Sequence, residues 1–323
     1  MGKKAVVLGG GGSRGSYQVG VWQALEEMGF GYEVVTGTSV GALNGALMAQ
    51  HDIGLAREMW SRIKTADVMD IDITDTVEDA RDLGGKLGAF LGEIAKNGGA
   101  DPRPLEEMLR QFIDEDKIRR SDVDFAFVTV EYPSLTAKFI TRENLPEGEL
   151  VDFLMASAAC FPAMKARVIG DKKYLDGGYQ DNVPVELAVE LGADDIIVVD
   201  LEAIGRIRPL KAAGEVRVRT IRSRWDLGVF ILFDSDTARR NMRLGYLDAK
   251  KEFGSLDGWA YAFEPGEVSR NFQRLERQFE LVSARTDLYL EKTRTRPAEA
   301  LARRKLGAIA QRMGKVNPQN LVL

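Results

Sequence analysis

The sequence predicts a three-layer α/β/α sandwich built around a predominantly parallel central sheet. Short apolar runs, such as residues 4–8 and 195–200, are typical of parallel strands that are buried on both faces. They alternate with segments whose apolar residues recur every three or four positions, which is the spacing of an amphipathic helix. This alternation favours a parallel sheet that is covered by helices on both faces.

Two strand–turn–helix units are predicted in the N-terminal part of the chain. The first has a strand at residues 4–8, a run of glycines and then a helix. Large apolar residues recur on one face of that helix: Tyr17, Val21, Leu25 and Met28. The second unit has a strand at residues 32–36 and a small-residue helix at residues 42–49. Residues 55–120 are predicted to be mainly helical.

The rest of the chain is predicted to divide into a core and an appendage. Further strands are predicted at residues 123–130, 137–141, 195–200, 216–221 and 259–263. Helices are predicted at residues 150–159, 184–191, 236–253 and 271–290, and a hairpin turn at Gly170-Asp171. Because the pattern loosens after Gly205, we expect a core domain at residues 5–201 and a mostly helical α+β appendage at residues 205–323.

A Gly-x-Ser-x-Gly pentapeptide at residues 37–41 joins the second predicted strand to its helix. A serine on such a sharp turn is held out from the sheet with its hydroxyl near the helix N-terminus, as in a nucleophile elbow. Gly37 and Gly41 fit this interpretation because a Cβ would clash where the backbone approaches itself closely. The strand–turn–helix context makes Ser39 a candidate nucleophile.

The histidine content restricts the base that such a serine can use. The chain has 1 histidine, His51. In α/β-hydrolases the catalytic histidine comes last, after the acid, whereas His51 closely follows Ser39 in the chain. We therefore interpret His51 as a surface or helix-end residue and expect a carboxylate to act as the base.

The glycine run in the first turn is open to three interpretations. Gly10-x-Gly12-x-x-Gly15 matches the dinucleotide-binding fingerprint, and Glu33 follows at roughly the spacing of a ribose-binding acid. Alternatively, consecutive glycine amides at a helix N-terminus can stabilise an oxyanion. The third interpretation is a purely structural turn. The loop taken alone does not decide among them.

Three motifs in a fixed order carry a family resemblance. They are the glycine loop at residues 10–15, the pentapeptide at residues 37–41 and Asp176-Gly177-Gly178. Together they resemble the patatin-like phospholipase family, and the segment at residues 157–162 is similar to the one that precedes the aspartate there. The resemblance covers residues 5–201 and implies a patatin-like fold. It also implies a serine–aspartate dyad without histidine, which agrees with the histidine count.

The resemblance implies roles for single residues. Ser39 would be the nucleophile and Asp176 the base that activates it. The oxyanion hole would come from the amides of one loop: Gly10, Gly11 and Gly12, with Arg14 bracing it and Gly15 ending it. The remaining motif glycines are Gly37, Gly41, Gly177 and Gly178. The implied activity is hydrolysis of phospholipid or lysophospholipid esters through an acyl-enzyme, with no metal and no diffusible cofactor.

Four other residues near these motifs receive structural interpretations. Ser157 is expected to be a cap or a packing residue, and Cys160 a small buried hydrophobe. Asp181 and Asn182 are expected to cap the helix that begins near Pro184.

Composition restricts the compartment and the partners. A net charge of −5 gives no argument for nucleic-acid binding, and 1 cysteine excludes an internal disulfide and suits a reducing compartment. No apolar stretch approaches the length of a membrane span, and the N-terminus lacks the apolar core of a signal peptide. We therefore expect a cytoplasmic protein, whose oligomeric state the sequence leaves unassigned.

A basic segment at residues 292–315 carries eight basic residues and one acidic residue. Such a segment is suited to contact anionic lipid headgroups at a membrane surface. A solvated helix face that offsets the acidic remainder of the chain is the simpler interpretation. Peripheral membrane contact is therefore an open expectation.

Two rival functions also stay open at the level of sequence. A nucleotide-binding protein would use the first glycine loop, and NAD(P) would then raise its thermal stability. A patatin-like scaffold without catalysis would keep the fold but would not react with a fluorophosphonate probe.

Overall fold

A mixed sheet of eight strands lies at the centre of the computed structural model, which describes residues 2–70, 98–211 and 215–293. The strands are β1 (Lys3–Leu8), β2 (Val34–Thr38), β3 (Asp124–Tyr132), β4 (Thr136–Thr141), β5 (Arg167–Ile169), β6 (Lys172–Asp176), β7 (Ala193–Val199) and β8 (Arg217–Ile221). Their order is β5-β6-β3-β2-β1-β7-β8, and β4 also pairs with β3. Strands β3, β2, β1, β7 and β8 are parallel, whereas the pairings of β4, β5 and β6 are antiparallel. The predicted, predominantly parallel sheet is confirmed.

Helices cover both faces of this sheet. The helices of the described residues are α1 (Ser16–Glu27), α2 (Val40–Ala49), α3 (Ile53–Arg62), α4 (Arg103–Phe112), α5 (Glu115–Arg119), α6 (Leu150–Ser157), α7 (Val185–Glu190), α8 (Ser235–Glu252) and α9 (Glu267–Thr293), of which α9 is not assigned to either face. Val34 of β2 packs in a cluster with Ala188 of α7. The next residue, Val35, lies against α2. Because successive side chains of a strand point to opposite faces, α7 and α2 lie on opposite sides of the sheet, as a three-layer sandwich requires.

The small residues of α2 allow it to lie close to the sheet. All but one of its ten residues are buried. A Cβ added to Gly45 would lie 2.8 Å from the ring of Phe125 on β3. This close approach fixes the direction in which α2 leaves β2, and with it the position of Ser39, which lies between the two elements.

The chain divides into two compact units, Met1–Ala249 and Lys250–Leu323. This division lies later in the chain than the sequence-based boundary at residues 201–205. The reason lies in part in α8, since a Cβ on Gly20 of α1 would overlap the carbonyl oxygen of Met242. The hydroxyl of Tyr17 also donates to Asp248 Oδ2 at 2.8 Å. The start of the expected appendage is thus packed against the first helix of the core.

The structure also corrects the predicted strand at residues 259–263. Only Asp257 and Phe263 pair there, as an isolated bridge that closes a short loop. The loop contains Gly258 at φ 110°, a backbone conformation that interrupts an extended strand. The hairpin at Gly170 is confirmed.

Parts of the sequence-based predictions fall outside the described residues. Helices α3, α4 and α5 lie within the predicted helical region 55–120, but residues 71–97 are not described. The basic segment beyond residue 293 is likewise outside them. Among the described helices, none is long and apolar enough to cross a membrane.

Candidate active site

Ser39 lies at the turn between β2 and α2 with φ 57° and ψ −128°. This conformation is strained for a residue with a side chain and is seen mainly at functional turns. The flanking glycines are required by close backbone contacts, because a Cβ on Gly41 would overlap the carbonyl oxygen of Leu8. A Cβ on Gly37 would overlap that of Gly41 itself. The predicted sharp turn at residues 37–41 is therefore present.

Ser157 holds this turn from below. Its Oγ accepts a hydrogen bond from the backbone N–H of Ser39 at 2.9 Å and donates one to the carbonyl oxygen of Val128 at 2.7 Å. Ser157 is fully buried at the end of α6. The expectation of a simple cap or packing residue missed this bridge between the turn and β3. The available signal was a serine within an otherwise apolar helix end.

Asp176 is the last residue of β6 and is 6% exposed. Its Oδ1 accepts a hydrogen bond from the N–H of Gly178 at 2.8 Å, and the hydroxyl of Ser39 lies near the carboxylate. Burial raises the pKa of this carboxyl to about 6, although the Ser39 hydroxyl and the Gly178 N–H both act to lower it. Gly177 follows Asp176 and lies so close to β3 that an added Cβ would overlap the carbonyl oxygen of Val128. The carboxyl is therefore ionised at neutral pH, with an increased affinity for a proton.

The glycine loop lies next to the serine. A Cβ on Gly10 would lie 3.2 Å from Cβ of Ser39. The N–H of Gly10 donates to the carbonyl oxygen of Asn182 at 3.0 Å, so it is not free to stabilise an oxyanion. The amides of Gly11 and Gly12 form no hydrogen bond with any residue that the structure describes. The expectation that the Gly10 amide is an oxyanion donor is therefore wrong, and the amides of Gly11 and Gly12 remain candidates.

Residues far along the chain hold the end of this loop. The N–H of Ser13 donates to the carbonyl oxygen of Phe230 at 2.7 Å. The guanidinium of Arg14 donates to three carbonyl oxygens, those of Leu201 at 3.2 Å, Glu202 at 3.3 Å and Gly228 at 2.9 Å. Arg14 thus joins the loop to partners that all come from residues 201–228.

Gly15 and Asn44 join the loop to the elbow helix. The side-chain amide of Asn44 donates to the carbonyl oxygen of Gly15 at 2.9 Å and to Oε1 of Gln18 at 2.9 Å. Its own oxygen accepts from the indole N–H of Trp60 at 2.9 Å. All four polar groups of this network belong to residues that are buried or nearly so. The loop and α2 are thus fixed relative to one another.

Glu33 lies at the wrong end of the sheet for a ribose-binding acid. It precedes β2, whereas the glycine loop follows β1, and these two strands are parallel. Glu33 therefore lies at the amino ends of these strands, and the glycine loop lies at their carboxyl ends. The carboxylate of Glu33 instead accepts from the N–H of Lys4 at 3.0 Å.

A second buried carboxyl, Asp181, lies behind the site. Its carbonyl oxygen accepts from the hydroxyl of Thr38 at 2.7 Å, and its Oδ1 accepts from the N–H of Arg208 at 3.4 Å. Its Oδ2 has no partner among the described residues. Burial raises the pKa of Asp181 to about 6. Neither Asp181 nor Asn182 caps α7, whose N-cap position is Pro184 without a side-chain hydrogen bond.

His51 and Cys160 take no part in the serine–carboxylate contact. His51 Nε2 lies 2.8 Å from Asp122 Oδ1 on the surface, and both side chains are substantially exposed. Cys160 lines the cavity beside Asp176, where burial raises the pKa of its thiol to about 12. The thiol therefore stays protonated and unreactive at neutral pH.

A cavity of about 590 Å³ opens onto Ser39 and Asp176. Its wall is mainly apolar, with contributions from α2, α3, α4 and a later segment: Leu43, Leu47, Met59, Trp60, Ile63, Met69, Leu105, Met108, Leu109, Phe112, Ile113, Phe230, Ile231 and Phe233. A volume in this range suits a small ligand or one long apolar chain. Within the described residues, no group of three or more His, Cys, Asp or Glu side chains is placed to hold a metal ion.

Comparisons with known proteins point to one family. The model of the patatin-like phospholipase family matches residues 6–189. Patatin-like phospholipase domain-containing protein 7 of Rattus norvegicus is 29% identical over 206 residues, which are 61% of this chain and 13% of that protein. Lysophospholipase nte1 of Aspergillus terreus is 32% identical over 205 residues, which are 62% of this chain and 12% of that protein. The matches thus span about an eighth of these relatives.

A search of solved structures gives a weaker similarity. The crystal structure of VipD from Legionella pneumophila is matched with a TM-score of 0.44 and 12% sequence identity. That match covers 78% of this chain and 67% of VipD.

Proposed function

Because this chain belongs to the patatin-like phospholipase family, we propose that it is a lipid acyl hydrolase in which Ser39 and Asp176 form a catalytic dyad. One observation carries the proposal. The hydroxyl of Ser39, on a strained turn, lies close enough to the buried carboxylate of Asp176 to lower its pKa, and both residues line a large apolar cavity. A nucleophile, its base and a binding space for an apolar substrate are therefore together.

In the first half of the reaction, Ser39 Oγ attacks the ester carbonyl carbon and its proton passes to Asp176. The negative charge that develops on the carbonyl oxygen is stabilised by the unpaired amides of Gly11 and Gly12. One such donor contributes about 3 kcal/mol to transition-state stabilisation. The proton on Asp176 then passes to the departing alcohol, and an acyl-enzyme remains on Ser39.

In the second half, water attacks the acyl-enzyme. Asp176 accepts a proton from this water, and the tetrahedral intermediate again places its oxyanion at the amides of Gly11 and Gly12. Collapse of the intermediate releases the fatty acid and returns the proton to Ser39. No step in this sequence needs a histidine or a metal ion.

The raised pKa of Asp176 suits this role. A carboxyl with an ordinary pKa near 4 is a poor acceptor for a serine proton at neutral pH. Burial brings the pKa of Asp176 to about 6, which is closer to the operating pH while leaving the group ionised. The hydrogen bond from the N–H of Gly178 fixes the orientation of the carboxylate.

The substrate class follows from the family and from the cavity. We propose a phospholipid or lysophospholipid whose acyl chain occupies the apolar cavity. The nucleotide-binding alternative loses its ribose-binding acid, since Glu33 lies at the opposite edge of the sheet. The scaffold alternative is opposed by the retained contact between Ser39 and Asp176.

Labelling with a fluorophosphonate probe tests the dyad. We expect rapid labelling of the wild type, none of Ser39→Ala, and labelling of Asp176→Asn slowed by about 10³-fold or more. Ser134→Ala and Asp171→Asn, two exposed positions away from the cavity, serve as matched controls and should label normally. Labelling of Ser39→Ala at the wild-type rate would refute the assignment, and a folded but unlabelled wild type would favour the scaffold.

A further inference from the structure

Beside the cavity, the chain exposes an apolar loop. We call residues 203–211 the rim loop. Within it, Ile204 is 100% exposed, Ile207 58% and Leu210 42%. Tyr179, on the turn that follows Asp176, is 43% exposed and lies at the same cavity as Ile204. Single exposed apolar residues are common, whereas a group of them at the mouth of a cavity points to an interaction surface.

Hydrogen bonds hold the rim loop against residues 178–182, which follow Asp176. The N–H of Arg206 donates to the carbonyl oxygen of Gly178 at 2.9 Å, and its carbonyl oxygen accepts from the N–H of Asn182 at 2.6 Å. The N–H of Arg208 donates to Asp181 Oδ1 at 3.4 Å. Ile207 lies between these anchored residues. Its exposure therefore follows from a backbone that is held in place at either side.

The charges of this loop are of one sign. The sequence from 204 to 211 is Ile-Gly-Arg-Ile-Arg-Pro-Leu-Lys, with three basic residues and no acidic one. Within the described part of the chain, no carboxylate forms an ion pair with Arg206, whose guanidinium donates to Oε1 of Gln180 at 3.2 Å. The chain as a whole carries a net charge of −5. The rim loop is thus a local basic and apolar surface on an acidic protein.

We propose that the rim loop docks the protein on a lipid surface that carries anionic headgroups. Isoleucine and leucine side chains would enter the boundary between headgroups and acyl chains, and the arginine and lysine side chains would contact the phosphates. Because Ile204 and Arg206 line the cavity, docking of the rim loop would place the mouth of the cavity at the lipid surface. The delivery of substrate in this scheme rests on the proposed function, whereas the docking itself does not.

Vesicle binding separates docking from catalysis when it is measured on Ser39→Ala chains. Ile207→Ser combined with Leu210→Ser removes two apolar contacts that do not line the cavity. Exposed apolar residues elsewhere supply the matched control, Leu135→Ser with Val168→Ser, at 45% and 57% exposure. We expect binding to phosphatidylglycerol-containing vesicles to weaken about tenfold or more in the first pair and to stay unchanged in the control. Pure phosphatidylcholine vesicles should bind the parent chain more weakly.

The same two pairs, with Ser39 intact, are then assayed on two substrates. The rim pair should slow hydrolysis of vesicle phospholipid about tenfold or more and leave hydrolysis of soluble p-nitrophenyl butyrate unchanged. Vesicle binding without hydrolysis of either substrate would overturn the proposed function and leave the docking proposal standing. Equal binding by the rim pair and the control pair would overturn docking. Loss of self-association in the rim pair, without vesicle binding by the parent, would identify an interface between copies and also overturn it.

Discussion

Two walls of the cavity, built from different parts of the chain, lie on either side of the glycine loop. The elbow wall consists of Ser39, Asp176 and the turns that carry them, and it lies within the family-matched residues 6–189. The distal wall consists of residues 201–206 and 227–233, which lie beyond that match. Both line the same cavity. The elbow wall contains the groups proposed to react, while the distal wall holds the glycine loop next to them.

The two walls hold their residues in different ways. The elbow wall depends on local backbone geometry, with a strained serine between glycines that are pressed against neighbouring carbonyls. The distal wall depends on long-range hydrogen bonds, such as those from Arg14 to Leu201 and Gly228. The groups proposed to react and the support of the glycine loop thus come from separate parts of the chain.

A substitution at Gly12 should give the largest effect among loop variants. This residue has φ 57°, and a Cβ would overlap the carbonyl oxygen of Phe230 in the distal wall. We expect Gly12→Ala to lower kcat for a soluble ester by about 10²- to 10³-fold, as loss of an oxyanion donor does. Gly29→Ala is the matched control, because Gly29 has φ 68° with nothing within 4 Å of an added Cβ. Equal activity in both variants would show that activity does not depend on the contact between Gly12 and the distal wall.

The pH dependence should report the elbow wall alone. Asp176 accepts a proton only when ionised, and burial raises its pKa to about 6. We therefore expect kcat/KM to be constant above this pH and to fall about tenfold per unit below it, or about 100-fold by pH 4. Gly12→Ala should lower the plateau without moving the midpoint. A midpoint near 4 would show that Asp176 is not the titrating base.

Two serines allow the same substitution, serine to alanine, to be made at a contact of each wall. Ser157 bridges Ser39 to Val128, and Ser13 Oγ donates to the carbonyl oxygen of Val229 at 3.0 Å. We expect Ser157→Ala to lower kcat about tenfold or more with little change in KM, because the turn loses its support and leaves buried backbone groups unpaired. Ser13→Ala should lower it about two- to threefold. Ser157→Thr, which keeps the hydroxyl, should recover part of the loss, and the reverse ranking of the two alanine variants would contradict the comparison.

Asp181 should affect stability rather than activity. Its folded-state pKa of about 6 exceeds the ordinary 3.8, so the folded protein binds this proton more tightly than the unfolded chain does. The resulting stability is present in full below the ordinary pKa and is lost as the pH rises through 6. Between pH 4 and 7 the free energy of unfolding should fall by about 2 kcal/mol more in the wild type than in Asp181→Asn. Urea titrations at both pH values measure this difference, and parallel losses in the two proteins would contradict it.

The sequence predicted the elements that depend on local patterns. The parallel strands follow from continuous apolar runs, and the elbow from Gly37 and Gly41 around a serine. The predicted strand at residues 259–263 failed because apolar and aromatic composition alone does not supply a pairing partner. Local patterns thus identified the elbow at Ser39, whereas the role of Asp176 was implied only by the family resemblance.

The remaining site features depend on contacts between distant residues. The bond from the Gly10 amide to Asn182 and the bridge through Ser157 join residues more than a hundred positions apart. Phe230 and Gly228 accept their hydrogen bonds through backbone carbonyls, which any residue type provides. For this reason the distal wall has no sequence motif. Its role could be learned only from the folded arrangement.

Mass spectrometry of the acyl-enzyme identifies the nucleophile itself. The protein is mixed with p-nitrophenyl butyrate, quenched in acid and digested with trypsin. We expect one butyryl group on Ser39, within the tryptic peptide 15–57, and none in Ser39→Ala. Asp176→Asn should form it far more slowly. A butyryl group on another residue at the wild-type rate, or unchanged turnover by Ser39→Ala, would contradict the account.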